Sequence, residues 1–120
     1  MPPPRDDLAE LIRCLPSQTI LNVARLCDGH TILPPERLID AGLPNEVVAA
    51  VTTTYRSDTT SPKTTIFVDG QPVEQIRGIY SLDLLQRLAG ALGVTYRECY
   101  GRGSQATAIR EAVYEHFEAQ

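Results

Sequence analysis

No stretch of this 120-residue chain approaches the roughly 18 consecutive apolar residues of a membrane-spanning helix, so a helical membrane span is excluded. The opening run MPPPRDDLAEL has neither the basic n-region nor the apolar h-region of a secretory leader, and a cytoplasmic protein is expected. Cysteine is sparse. Cys14, Cys27 and Cys99 are odd in number and widely spaced, unlike the dense, even framework of a small secreted domain, and they read as reduced thiols. Positive charge is also short: 11 Lys and Arg against 15 Asp and Glu leave a net charge of −4. That balance gives no global attraction for nucleic acid or anionic lipid, so such binding would need a local basic patch. A catalytic constellation is lacking as well. Glu10, Asp40, Glu46, Asp83, Glu111 and Glu115 are scattered at positions expected of solvated helix faces. Nucleophilic and acid–base schemes need two or three groups in mutual reach, and no such set is apparent, so a non-enzymatic protein without a cofactor is expected.

What is present is enough apolar residue, 42% of the chain, for one core. Residues 1–5 read as a stiff, disordered lead and residues 6–120 as one compact domain. Leu8, Leu11, Ile12 and Leu15 repeat at helical spacing over Asp7 to Leu15, and Pro16 ends that helix. Ser17 is placed to cap a second helix carrying Ile20, Val23, Ala24 and Cys27 on one face. Pro35 opens a short third helix, Gly42 closes it, and Pro44 or Asn45 starts another. Its VVAAVTTTY run can continue as helix or, with its β-branched residues, become a strand, and a helix from Asn45 to about Thr53 is the expectation. Seven threonines among the fourteen residues from Thr52 to Thr65 read as a polar loop.

Two β-prone runs, Thr64 to Val68 and Gln71 to Ile76, flank Asp69-Gly70, the pair that supplies positive backbone angles to a tight hairpin turn. Pro72 lacks a backbone donor, which confines its strand to an edge or to an unpaired position near the turn. Ser81 is placed to cap a helix whose apolar stripe is Leu85, Leu88, Ala89 and Leu92 and whose stop is Gly93. A last helix runs from Ser104 to about Glu118. The fold expected is helix-rich α+β, with about five to six helices and one β-hairpin near residues 64–76.

The segment YGRGSQATAIRE, Tyr100 to Glu111, sets two glycines around an arginine at a helix start. It lacks the lysine of a P-loop and the third glycine of a dinucleotide fingerprint. What remains is a helix N-terminus with exposed backbone donors, Ser104 as cap and Arg102 beside it, suited either to a phosphate or carboxylate or simply to turning the chain. Cys27-Asp28-Gly29-His30 has the spacing of half a zinc site, but no second pair completes it, and core packing is the expectation for Cys27. His116 falls within the apolar stripe of Ile109, Ala112, Val113 and Phe117, where it is expected in the core or at an interface.

The stretch LIDAGLPNEVVAAV followed by a hairpin resembles the helix-turn-helix of bacterial regulators. Ala41-Gly42-Leu43 stand at the turn, Val47, Val48 and Val51 pack the second helix, and Asp69-Gly70 tip a wing. The resemblance to a winged helix-turn-helix covers about Ser17 to Ile76. It implies that Asn45, Glu46, Ala49, Thr52, Thr53 and Arg56 face DNA, with Lys63 near the wing. The charge departs from that pattern. Glu46 and a lone Arg56 lie on the second helix, and Lys63 and Arg77 are balanced by Asp69 and Glu74, which makes a weak phosphate-binding face.

Tyr96, Arg97, Tyr100 and Arg102 cluster before the last helix, and tyrosine and arginine are residue types that anchor interfaces. With Gly101, Gly103 and Ser104 they form the candidate partner- or anion-binding set. The leading expectation is a small non-enzymatic regulatory or adaptor protein acting through protein contacts or self-association. A winged helix-turn-helix DNA-binding regulator and an anion-binding module at Gly101 to Ser104 are the alternatives.

Overall fold

The computed structural model describes residues 4–56, 66–68, 71–73 and 75–119, and for residues 4–7, 55–56, 66–68, 71–73 and 75 the backbone alone. Six helices and five strands are assigned among these residues. Helix α1, Pro4–Arg13, starts three residues before and ends two before the expected bounds, and α2 spans Ser17–Leu26. Ser17 is the first helical residue. The cap position belongs to Pro16, and no side chain bonds the first turn. Strand β1, Ile32–Leu33, precedes α3, Pro35–Asp40, whose Pro35 sits at the first helical position as expected. A turn with positive φ at Gly42 leads to α4, Asn45–Val51, which buries Val47, Val48 and Val51.

The expected helix to Thr53 ends two residues earlier, and the threonine run begins as a strand. Thr52 is already extended and buried, its hydroxyl donating to the Val48 carbonyl at 2.9 Å, and β2 follows as Thr53–Arg56. β-Branched residues favour extended backbone once a partner strand is available. Here the partner is β5, Gln75–Tyr80, aligned Thr53 with Gly78 and Thr54 with Arg77. β5 also pairs with β1, Leu33 opposite Ile79, to give an antiparallel sheet in the order β1-β5-β2. The expected hairpin is present as β3, Ile66–Val68, against β4, Gln71–Val73, with Phe67 opposite Pro72. Its Asp69-Gly70 turn lies outside the described residues, as do Lys63 and most of the expected polar loop. The second expected strand, Gln71 to Ile76, is divided: its first half pairs with β3 and its second half opens β5.

β5 runs straight into α5, Ser81–Leu92, which Gly93 closes in the left-handed conformation with Val94 N donating to the Ala89 carbonyl at 2.9 Å. Helix α6 spans Arg102–Glu118. α5 packs on α1 and α6, and α2 packs on α6, so both C-terminal helices belong to the same core as the N-terminal ones. Ile20, Val23, Leu33, Leu38, Val47, Leu84, Leu85, Leu88, Ile109 and Val113 are its largest members with 1% exposure or less. The result is a compact α+β domain, and no described helix is long and apolar enough to cross a membrane.

Candidate functional site

The N-terminus of α6 is the meeting point of three segments. The first is the turn Cys27 to Thr31 after α2, where Asp28 gathers the chain. Its Oδ1 accepts from the backbone N–H of His30 (2.7 Å) and Thr31 (2.8 Å), from the Thr31 hydroxyl (2.9 Å) and from the Ser81 hydroxyl (3.1 Å). Partial burial pushes this carboxyl up, but the hydrogen bonds from Thr31, His30 and Ser81 together outweigh it and lower the pKa to about 2. Ser81 is wholly buried and also accepts from Gly29 N at 2.8 Å. It therefore joins the turn to the head of α5 and does not cap α5, whose cap position is Tyr80.

The head of α5 is thus the second segment, and the turn itself touches α6 at Gly29. Gly29 has φ 92°, and a Cβ there would collide with the Arg102 carbonyl oxygen and lie 3.0 Å from Ala106 Cβ. Only glycine allows the turn and the helix to approach so closely. Arg110 completes the junction by donating to the Cys27 carbonyl and, at 3.2 Å, to the Thr107 hydroxyl. Cys27 is fully buried, its thiol donating to Val23 O at 3.3 Å, and burial raises its pKa to about 12. That is the core placement expected for it, whereas His30 is exposed. No group of three or more His, Cys, Asp or Glu among the described residues is arranged to hold a metal ion.

The third segment is the connector from Val94 to Gly101, fixed by Gln105. The Gln105 side chain accepts from Cys99 N at 2.8 Å and donates to the Arg97 carbonyl at 3.0 Å, so one amide grips both sides of Glu98. Tyr100, two residues before α6, stands fully exposed beyond this clip. A cleft of about 530 Å³ opens beside it, lined by Arg97, Cys99, Tyr100, Ser104, Thr107 and Glu111 among others. It adjoins a shallower groove of about 270 Å³ in which Tyr96 and Arg97 face Ala108, Glu111, Ala112 and Glu115.

The candidate residues thus separate into two groups. Arg97, Tyr100 and Ser104 share the cleft, and Tyr96 lines the adjoining groove while packing its half-buried ring against the core. Arg102 is directed elsewhere, its guanidinium carbon 5.5 Å from the centre of the Tyr80 ring, and Gly103 lies under His30 with 3.3 Å between an added Cβ and Nε2. Gly101, at φ 94°, holds the cap position, α6 begins at Arg102, and no side chain caps it. Ser104, expected as the cap, is an exposed residue of the first turn. A residue with φ near 94° suits glycine, and with Gly101 at the cap the helix starts at Arg102, two residues before the expected Ser104.

On the helix-turn-helix face, Asn45, Glu46, Ala49 and Thr53 are exposed, but Thr52 is buried and is no base-reading residue. The side chains of Arg56 and Lys63 lie outside the described residues. His116 is half-buried with its ring edge-on to Phe117 at 5.1 Å. Among the described residues lie further clefts, one of about 420 Å³ between the sheet and α5, lined by Val51, Thr53, Ile79 and Asp83, and an apolar one of about 300 Å³ between α2 and α6 at Leu21, Tyr114 and Phe117.

Asp28, Ser81 and Gln105 were not expected at this site: Ser81 was read as a helix cap, and Asp28 only as part of the Cys27 to His30 spacing. The Asp28 turn had a signal, an aspartate followed by two residues and a threonine just past a helix end, which is an Asx-turn pattern. Gln105 had none, since its partners are set by the path of the connector. Comparison with known proteins returns no family model, no curated protein and no solved structure that matches the chain.

Proposed function

We propose that the protein is a non-enzymatic regulatory or adaptor module that works by protein contact, with the Arg97, Tyr100 and Ser104 cleft as its contact surface. The supporting observation is Tyr100. A tyrosine with 102% exposure, on a connector pinned by a side-chain amide, carries apolar area and a hydroxyl into solvent at little further cost in ordering. Exposed aromatic side chains beside arginine are frequent centres of binding energy. The test is purification of the tagged chain from cells with its bound proteins, comparing wild type with Tyr100→Ala and Arg102→Ala. Tyr100→Ala is expected to strip the complex. Arg102→Ala is expected to weaken it less, because that guanidinium is engaged by Tyr80. Complexes unchanged by Tyr100→Ala would remove this reading.

One observation favours a second reading, DNA binding. The order α2, β1, α3, α4, β2, hairpin, β5, with the sheet arranged β1-β5-β2, resembles a winged helix-turn-helix in which α4 is the recognition helix and β3-β4 the wing. Against it, α4 is seven residues long and its only charged residue is Glu46. Fluorescence anisotropy with mixed-sequence duplex at low and higher salt discriminates the two. Salt-sensitive binding reduced by Arg56→Ala and Lys63→Ala supports the regulator, and no binding at low salt removes it.

A further inference from the structure

β2 stands at one end of the sheet order β1-β5-β2, so only one of its sides is paired within that sheet. In an antiparallel ladder alternate residues turn their N–H and C=O towards the partner strand, and the residues between turn theirs away. Among the described residues neither Thr53 nor Thr54, both exposed, makes a backbone hydrogen bond outside the β5 ladder. The register from Thr53 to Arg56 against Gly78 to Gln75 is unbroken, with no bulge and no proline in β2. An open edge of this kind is a template for one more strand. Beside it lies the cleft of about 420 Å³, whose floor and wall differ in chemistry. Its floor is apolar, Val51 and Ile79, each 2% exposed. Its far wall is α5, which presents Asp83, Gln86 and Arg87 as neighbours one turn apart. All three are exposed, and among the described residues none has a hydrogen bond or ion pair, so the wall offers both donors and acceptors.

We infer that this cleft takes an extended peptide segment of a partner protein, added to β2 as a further strand. A single strand has two free edges. One edge matches the outward groups of β2, the other meets Asp83, Gln86 and Arg87, and an aliphatic side chain between them turns down onto Val51 and Ile79. Other occupants satisfy less of this surface. A docked helix has already bonded its own backbone and asks for an apolar groove, whereas this one is polar along α5. The β2 of a second copy pairs one edge with its own β5, which leaves it nothing to offer the α5 side chains. The surface shares no residue with the Tyr100 cleft, so it adds a second contact to the one proposed above.

A displayed library of random linear heptapeptides, selected on the purified chain, supplies the probe. Selection is expected to yield a consensus with an aliphatic position, and the synthetic consensus peptide is titrated by fluorescence anisotropy and by amide chemical-shift mapping. Shifts are expected at Thr53 and Thr54 and from Asp83 to Arg87. N-methylation of the peptide, one residue at a time, is expected to weaken binding at least about tenfold at alternate residues, because only every second N–H faces β2. Gln86→Ala and Arg87→Ala, exposed changes checked for an unchanged circular dichroism spectrum, are each expected to weaken it about three- to tenfold. Tyr100→Ala is expected to leave peptide binding unchanged, which separates this surface from the Tyr100 cleft. A selection without a consensus, shifts confined to α6 and the 94–101 connector, or N-methylation effects without a two-residue period each overturn the inference. Shifts of the β2 amides that depend on the concentration of the chain alone overturn it as well, by giving the edge to a second copy.

Discussion

At Gly29 one missing methyl group decides how the turn after α2 meets α6. Positive φ costs a side-chain-bearing residue about 1–2 kcal/mol, and a Cβ pressed into the Arg102 carbonyl adds a further overpacking term of similar size. Gly29→Ala is therefore expected to destabilise the domain by about 2–4 kcal/mol in urea unfolding, and a change below about 0.5 kcal/mol would contradict the close approach. Asp28 beside it makes a charge-dependent contribution. Its folded pKa, about 2, is lower than the usual 3.8, so its stabilisation is complete above about pH 4 and is lost as pH falls from there towards 2. Asp28→Asn keeps an acceptor oxygen but not the charge. It should cost about 1 kcal/mol at neutral pH, with the gap to wild type closing below pH 4 in acid unfolding curves. Cys27 responds in the opposite direction. With its thiol raised to about 12 and no exposure, it should resist iodoacetamide at pH 8 while exposed Cys14 is alkylated, and mass spectrometry should find Cys27 modified only in denaturant.

Elements written by hydrophobic period or by glycine and proline were legible from residues alone. α2 and α5 carry their apolar residues at helical spacing, Pro35 and Gly42 bracket α3, and an aspartate-glycine pair between β-prone runs predicted the β3-β4 pairing. Elements that depend on a distant partner were not. The β-branched run through Thr53 to Arg56 was open between helix, strand and loop because nothing local reveals β5 alongside it, and Gly78 opposite Thr53 is the place where the β1 strand comes so close that a Cβ would strike Leu33. Serine misled for the same reason. Ser17, Ser81 and Ser104 all stand near helix starts, but the Ser81 hydroxyl is taken by a turn 53 residues away and none caps its helix. The cleft was half legible: Arg97 and Tyr100 stood out by type, whereas Gln105, which positions both, did not. Gln105→Ala removes both ends of that clip. It is expected to cost about 1–2 kcal/mol and to speed amide exchange at Cys99 while leaving exchange in α5 unchanged. Unaltered exchange at Cys99 would mean that the connector is held by something other than this amide.

Across the whole molecule, the core admits no division between an N-terminal unit and the C-terminal pair of helices. Ile20 and Val23 from α2, Leu33 from β1, Leu38 from α3, Leu85 and Leu88 from α5 and Ile109 and Val113 from α6 form one buried cluster. The junction of Asp28, Ser81, Gly29 and Arg110 crosses the same boundary with hydrogen bonds. α6 contributes only three fully buried side chains, Ala106, Ile109 and Val113, so each carries a large share of its attachment. Ile109→Ala should cost about 2–4 kcal/mol, a sizeable part of the 5–15 kcal/mol that holds a domain of this kind together. If α6 belongs to the common core, that loss lowers the midpoint of one transition, and far-ultraviolet circular dichroism and the fluorescence of the five tyrosines shift together. If α6 were an appendage, the helical signal would separate into an early step confined to α6 and a late step at the wild-type temperature. The outcome also bears on the contact surface, since Arg97 and Tyr100 keep their positions only while Gln105 and Ile109 hold the connector and α6 to the rest of the fold.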